Sequence, residues 1–157
     1  MNGTTSAGEG IKMNKPLIII TTMIMCSTAL AQTDLGNLST NPYAKDSIAN
    51  LYGAGSPYAR NSINNPYSKY GSLYSNKSAT NPYATNPPKL YDSKGNYRGL
   101  LSTNPYLKDS IANPYGKYGS PYSRDSINNP YGAGNPYKAD SPTNPYGTGW
   151  EIRGSDD

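Results

Sequence analysis

The side chains of this protein best suited to chemistry are aromatic: sixteen tyrosines and one tryptophan, with no phenylalanine and no histidine. An exposed tyrosine beside a proline is a flat, rigid, amphipathic platform that costs little entropy to order. Such rings stack on sugars, on proline-rich peptides or on one another, and they can be cross-linked oxidatively. The candidate platforms are Tyr43, Tyr58, Tyr67, Tyr70, Tyr83 and Tyr106, together with Tyr115, Tyr118, Tyr122, Tyr131, Tyr137 and Tyr146. Catalysis has poorer footing. There is no imidazole for general base work, and the single thiol, Cys26, lies in an apolar run near the N-terminus. The neighbours Asp46-Ser47, Asp109-Ser110, Asp125-Ser126 and Asp140-Ser141 recur at equivalent places and read as turn caps. Paired carboxylates for glycoside hydrolysis need a shaped cleft, which a chain so poor in core residues is not expected to build. Asp92-x-Lys94-x-Asn96 begins like a calcium loop, but Lys94 occupies a ligand position and no glutamate stands at the required distance beyond it. The expectation is therefore a non-enzyme with no metal and no cofactor.

The elements that position these rings are repeats. Leu38-Ser39-Thr40-Asn41-Pro42-Tyr43 returns as Leu101-Ser102-Thr103-Asn104-Pro105-Tyr106, and Ser62-Ile63-Asn64-Asn65-Pro66-Tyr67 returns as Ser126-Ile127-Asn128-Asn129-Pro130-Tyr131. Two long copies, 35–85 and 98–148, flank a hairpin-like spacer at 86–97. Repetition at this scale decides architecture before any other feature. Within the first copy the punctuating tyrosines are Tyr43, Tyr52, Tyr58, Tyr67, Tyr74 and Tyr83, spaced 9, 6, 9, 7 and 9. In the second they are Tyr106, Tyr115, Tyr122, Tyr131, Tyr137 and Tyr146, spaced 9, 7, 9, 6 and 9. The short links between them are of two kinds. Gly53-Ala54-Gly55 and Gly132-Ala133-Gly134 form one, Lys69-Tyr70-Gly71 and Lys117-Tyr118-Gly119 the other, in swapped order between the copies.

Asn-Pro-Tyr-Gly is a turn: asparagine bonds forward to the backbone, proline presets φ, and glycine at the fourth position gives the chain an unhindered exit. Asp46-Ser47-Ile48 has the look of a single helical turn, stopped by the next proline. Between the copies, Lys89–Leu101 reads as a hairpin with Gly95 free to take positive φ. Leu35–Leu38 and Trp150–Arg153 are candidate strands beside it. Only thirteen leucines and isoleucines lie beyond Gln32, a low content for a packed core. The fold expectation is a largely irregular, disordered, turn-rich chain with a short β-hairpin. The alternative is a thin tyrosine-lined β/turn solenoid, against which the uneven beat of tyrosines argues.

The pattern Asn-Pro-Tyr-x-x-Asp-Ser-Ile-x-Asn-Pro-Tyr-Gly-x-Tyr-Gly-Ser-Pro-Tyr, with Leu-Tyr-Asp-x-x-Gly-Asn-Tyr-Arg-Gly between copies, resembles small exported bacterial proteins of unknown function. The resemblance covers nearly all of Leu35–Ile152 and implies bacterial origin, export and no established activity. Leu51 and Leu73 stand where that pattern has proline.

The N-terminal region differs in kind. Lys12 and Lys15 precede the apolar run Leu17–Met25, and Ala29-Leu30-Ala31 comes before Gln32. A basic start, a short apolar stretch and a small-x-small site describe a secretory signal peptide over 13–31. The cleavage signal is Ala29 and Ala31, with Gln32 as the new N-terminus. The run is short for a bilayer span of roughly 20 residues, so no stable membrane span is expected after cleavage. Met13 opens a compact signal by itself, which makes 1–12 a mis-assigned extension. Fourteen Lys and Arg against ten Asp and Glu give a net charge of +4, and the charges are interspersed. No basic stripe points to nucleic acid. The functional expectation is a secreted or periplasmic, non-catalytic repeat protein that acts by surface interaction or in a structural role. Its partner would be a cell-envelope polysaccharide, another exported protein or itself. The alternative is an accessory or inhibitor module of a secreted hydrolase.

Overall fold

The structure, a computed structural model, describes residues 31–156 and Gly3. The signal peptide at 13–31 (Ala31 aside) and the extension at 1–12 (Gly3 aside) lie outside the described residues.

Backbone hydrogen bonds give the repeat its true beat, which is three residues. Ser47 N–H donates to Ala44 O, Asn50 to Ser47, Gly53 to Asn50 and Ser56 to Gly53, at 3.0–3.1 Å. The series continues through Ala59, Ser62, Asn65 and Ser68, each amide bonding three residues back. Every third residue thus ends one β-turn and opens the next. The chain reads as triplets: Asn50-Leu51-Tyr52, Gly53-Ala54-Gly55, Ser56-Pro57-Tyr58. One extra residue enters each Lys-Tyr-Gly link, where Ser72 N–H reaches back four residues to Ser68 O and Ser120 N–H four to Gly116 O. The tyrosine spacings of 9 and 6 are whole triplets, and 7 is two triplets plus this insertion. The beat that looked uneven is regular.

Most of the turns are opened by serine or asparagine, whose side chain caps the turn. Ser47 Oγ accepts from Ala49 N–H at 3.1 Å, Ser62 Oγ from Asn64 N–H at 3.2 Å, and Asn65 Oδ1 from Tyr67 N–H at 2.9 Å. Short polar side chains that bond two residues on compete with helix and ladder, and proline at the next position removes an amide. Among the described residues there is accordingly no helix.

Four strands close the ends of the copies: β1 (Gln32–Leu38), β2 (Lys89–Tyr91), β3 (Tyr97–Leu100) and β4 (Trp150–Ser155). They form one antiparallel sheet in the order β1-β4-β2-β3. β2 and β3 are the arms of the hairpin read around Gly95, whose φ is 78°. At the sheet centre Leu90 pairs with Ile152, flanked by Lys89–Arg153 and Tyr91–Glu151. Around that point the register maps onto itself. Asn37 pairs with Glu151 as Leu100 pairs with Lys89, and Asp34 pairs with Arg153 as Tyr97 pairs with Tyr91. The bridges Asn37–Ser47 and Leu100–Ser110 are likewise equivalent. Gly36 and Gly99 share a left-handed φ of 88° and 99°, which a side chain rarely adopts. The two copies are therefore related by a pseudo-two-fold axis, each contributing an outer strand and an inner one.

The core lies between this sheet and the chains of turns. Leu35, Leu90, Trp150 and Ile152 from the sheet pack with Ile63, Tyr70, Ala79 and Ala133 from the turns. Serines fill the rest: Ser47, Ser62, Ser78, Ser110, Ser126 and Ser141 are all buried. Their hydroxyls also reach across the coil, as Ser47 Oγ to Ser39 O and Ser110 Oγ to Ser102 O, both at 3.0 Å.

Both fold expectations are overturned. The chain is a four-stranded antiparallel sheet with ordered turns, not a largely disordered ribbon, and tyrosine does not line a stack. Low aliphatic content would forbid order only if apolar burial alone offset ordering entropy. Here closely spaced backbone bonds and side-chain caps do much of that work. No buried side-chain nitrogen or oxygen among the described residues lacks a partner, so burying serine carries no penalty for orphaned groups. Proline narrows the unfolded ensemble as well.

Candidate binding surface

Six asparagines act as two-ended clamps. Asn65 accepts the Tyr67 amide on Oδ1 and donates from Nδ2 to Ala59 O, six residues back, both at 2.9 Å. Asn50, Asn81, Asn113, Asn129 and Asn144 repeat this, with Nδ2 bonds of 2.9–3.1 Å to Ala44, Ser75, Leu107, Ser123 and Lys138. Each clamp fixes the turn that carries the next tyrosine and leaves the ring free to project.

All twelve punctuating tyrosines point outward, with side chains 84% to 102% exposed, and Leu51 and Leu73 are exposed beside them. A monomer rarely shows so much aromatic surface without use for it. Residues nine apart are neighbours in the coil: Ala54 N–H donates to Lys45 O, Ala133 to Arg124 O and Thr148 to Ala139 O, at 2.8–3.0 Å. A nine-residue spacing therefore sets Pro–Tyr turns side by side. Pro136-Tyr137 and Pro145-Tyr146 line one shared groove with Asn144.

Two of the candidate platforms are elsewhere. Tyr70 is 0% exposed and Tyr118 is 9% exposed, so neither presents a face to a partner. The middle of the Lys-Tyr-Gly link faces the core, which turns these rings inward. Tyr70 lies on Gly154, where a Cβ would stand 2.4 Å from its Cε1, and its hydroxyl donates to Ser155 O at 3.0 Å. Tyr118 lies on Gly99 and meets Tyr97 edge-on with centroids 5.4 Å apart. Burial, then the nearby Asp109 carboxylate and the Tyr118 and Tyr91 rings, raise the Tyr97 phenol above its ordinary range.

Alanine takes the equivalent places in the other links. Ser78 Oγ donates to Tyr70 O and Ser141 Oγ to Ala133 O, each at 3.1 Å. Ala54 faces Gly36 as Tyr118 faces Gly99. Each alanine floors a cleft. That over Ala54 is about 280 Å³ and is lined by Asp34, Leu35, Gly36 and Asp46. That over Ala133 is about 450 Å³ and is lined by Asp92, Arg98, Lys138, Asp140 and Trp150.

The wall of the second cleft is stiffly charged. Arg98 binds Asp92 at 2.7 Å and Asp125 at 3.0 Å, and its guanidinium lies 5.8 Å from the Trp150 ring centre. Burial disfavours the Asp92 carboxylate, but Asn96 donates to it from side chain and backbone, joined by Arg98 and the Lys94 amide. The net effect lowers its pKa to about 2. It is a carboxylate tied down at the hairpin turn, not a poised acid. Among the described residues no group of His, Cys, Asp and Glu could hold a metal ion, and no helix is long and apolar enough to cross a membrane.

Comparison with known protein families, curated proteins and solved structures finds no match. Sequence reading missed the two clefts and the inward turn of Tyr70 and Tyr118. Its only signal for them was the swapped order of the two link types.

Proposed function

We propose that this is an exported, non-catalytic protein that binds a partner multivalently through its Pro–Tyr turns. The observation carrying the proposal is the outward projection of twelve tyrosines from turns capped by asparagine or serine. Rings on capped turns lose little entropy on binding, and nine-residue pairs offer adjacent faces for stacking. An extended polymer with repeated flat apolar faces, such as a cell-envelope polysaccharide, suits this display. The interspersed net charge of +4 gives no footprint for nucleic acid. Export rests on the basic, apolar and Ala29–Ala31 pattern preceding Gln32. The processed chain starts at Gln32, and N-terminal mass spectrometry of the native protein checks it.

The binding test is a titration of purified envelope polysaccharide against wild type and against variants with two, four and six tyrosines changed to serine. Affinity should fall steeply with each lost pair because avidity multiplies across sites. The fold should persist, since the altered rings are exposed. Unchanged affinity in the six-fold variant would refute the reading. Deleting the second copy is unsuitable as a test, because it removes most of β3 and the turns that bring β4 to the shared sheet.

A further inference from the structure

The pseudo-two-fold axis relates link positions in two pairs, Ala54 with Tyr118 and Ala133 with Tyr70: in each pair one place is filled by a tyrosine of this chain and the other holds alanine. The equivalence is close at the backbone. Tyr70 O and Ala133 O accept the same serine of the motif, Ser78 and Ser141. Gly71 O and Gly134 O accept the same threonine, Thr80 and Thr143, both at 2.7 Å. On the other pair, a Cβ on Gly36 would stand 2.6 Å from the Ala54 Cβ, and one on Gly99 would stand 2.8 Å from the Tyr118 Cβ. The fold thus accommodates a phenol ring at the Ala54 place, where Gly36 answers to Gly99, and the cleft over Ala54 marks where that ring is missing. At the Ala133 place Asp92 stands where the Tyr70 ring has Gly154, so its side chain bars a ring seated like Tyr70.

We propose that the cleft over Ala54 receives the phenol ring of a protruding Pro–Tyr turn from a second copy of this chain. The counterpart site supplies the argument for this occupant, since it holds the Tyr118 ring in the same setting. The chain itself displays that group twelve times, fully exposed. The Ala54 cleft carries Asp34 and Asp46 against one cation, Lys45, so its lining is net acidic. Arg60 lies two residues beyond Tyr58, and Arg124 two beyond Tyr122. An incoming turn of this kind brings a guanidinium beside those carboxylates. Ring and cleft are different parts of the surface, so reciprocal exchange between two copies closes a two-fold dimer, and one-way insertion extends from molecule to molecule.

This rests on the tyrosines being a binding surface, and the experiment separates the two claims. The full chain is expressed and purified, and its mass is monitored by sedimentation velocity over a wide concentration range, with N-acetyl-tyrosinamide as a competitor. In the test variant the Gly53–Gly55 link is exchanged for the Gly116–Gly119 link of the second copy. Ala54→Tyr is a simpler second variant. The expected result is concentration-dependent association in wild type, reversed by the competitor. It should weaken at least roughly tenfold once the cleft is plugged, with the thermal transition retained. A wild type that stays monomeric at millimolar concentration would overturn the proposal. So would association that survives the plugged cleft but is lost in the six-fold tyrosine-to-serine variant, an outcome that leaves the platform function standing.

Discussion

Tyr70 and Tyr67 lie three residues apart, in adjacent turns, yet one is 0% exposed and the other 95% exposed. Replacing each by alanine therefore tests the inside–outside assignment directly. A buried tyrosine ring hides roughly 150–250 Å² and contributes about 4–6 kcal/mol at ~25 cal/mol per Å². Partial collapse recovers some of this, so large aromatic-to-alanine changes cost about 3–5 kcal/mol. The hydroxyl bond to Ser155 O is lost as well. Tyr70→Ala should thus cost about 4 kcal/mol and lower the melting temperature by roughly 15 °C. Tyr67→Ala should stay within about 0.5 kcal/mol of wild type. The chain carries its own probe, because Trp150 is the single tryptophan and is 2% exposed. Its fluorescence in a urea titration reports unfolding in both variants. Equal losses for the two, or a loss below about 1 kcal/mol for Tyr70→Ala, would refute the packing argument.

Asp92 makes stability depend on acid. Its folded pKa of about 2 lies below the ordinary value of 3.8, so its contribution of about 2 kcal/mol is complete above roughly pH 4 and drains away as pH falls to 2. Asp92→Asn should flatten that limb of the pH–stability curve, measured by urea titration at each pH. Asn65→Ala removes both ends of one clamp and should cost about 1–2 kcal/mol, with faster amide exchange at Tyr67. Gly154→Ala places a methyl 2.4 Å from Tyr70 Cε1, and thermal melting should show a loss of about 1–3 kcal/mol from overpacking. Small-angle scattering should give a radius of gyration near the ~14 Å of a folded chain of this size, against ~36 Å unfolded; a value near the upper figure would refute the ordered fold.

Much of the local structure is legible in the residues. Asn-Pro-Tyr announces turns, and the segment around Gly95 announces a hairpin. Short strands are readable at Leu35–Leu38 and Trp150–Arg153, where β1 and β4 run. These features are local: proline fixes φ, asparagine and serine cap the amide two residues on, and glycine supplies positive φ, whatever surrounds them. The triplet beat is equally present in the sequence. Tyrosine, the conspicuous residue, hides it, because the structural marker is the serine or asparagine that opens most of the turns.

The sequence by itself determined the turns, their capping residues, the duplication and the two link types. Only the tertiary structure decided which tyrosines face water and which form the core. Tyr67 and Tyr70 are the same residue type in similar company, and their fates diverge because Tyr70 sits at the inward place of its link, the place Ala133 takes in the other copy, where its ring meets Gly154. Sheet order was likewise beyond local reading, because β1 and β4 meet across more than a hundred residues, Gln32 pairing with Ser155. Such a pairing depends on the summed geometry of every intervening turn. The clefts arise from the same cause: an alanine becomes a vacancy only when a two-fold axis sets it where its counterpart is a buried ring.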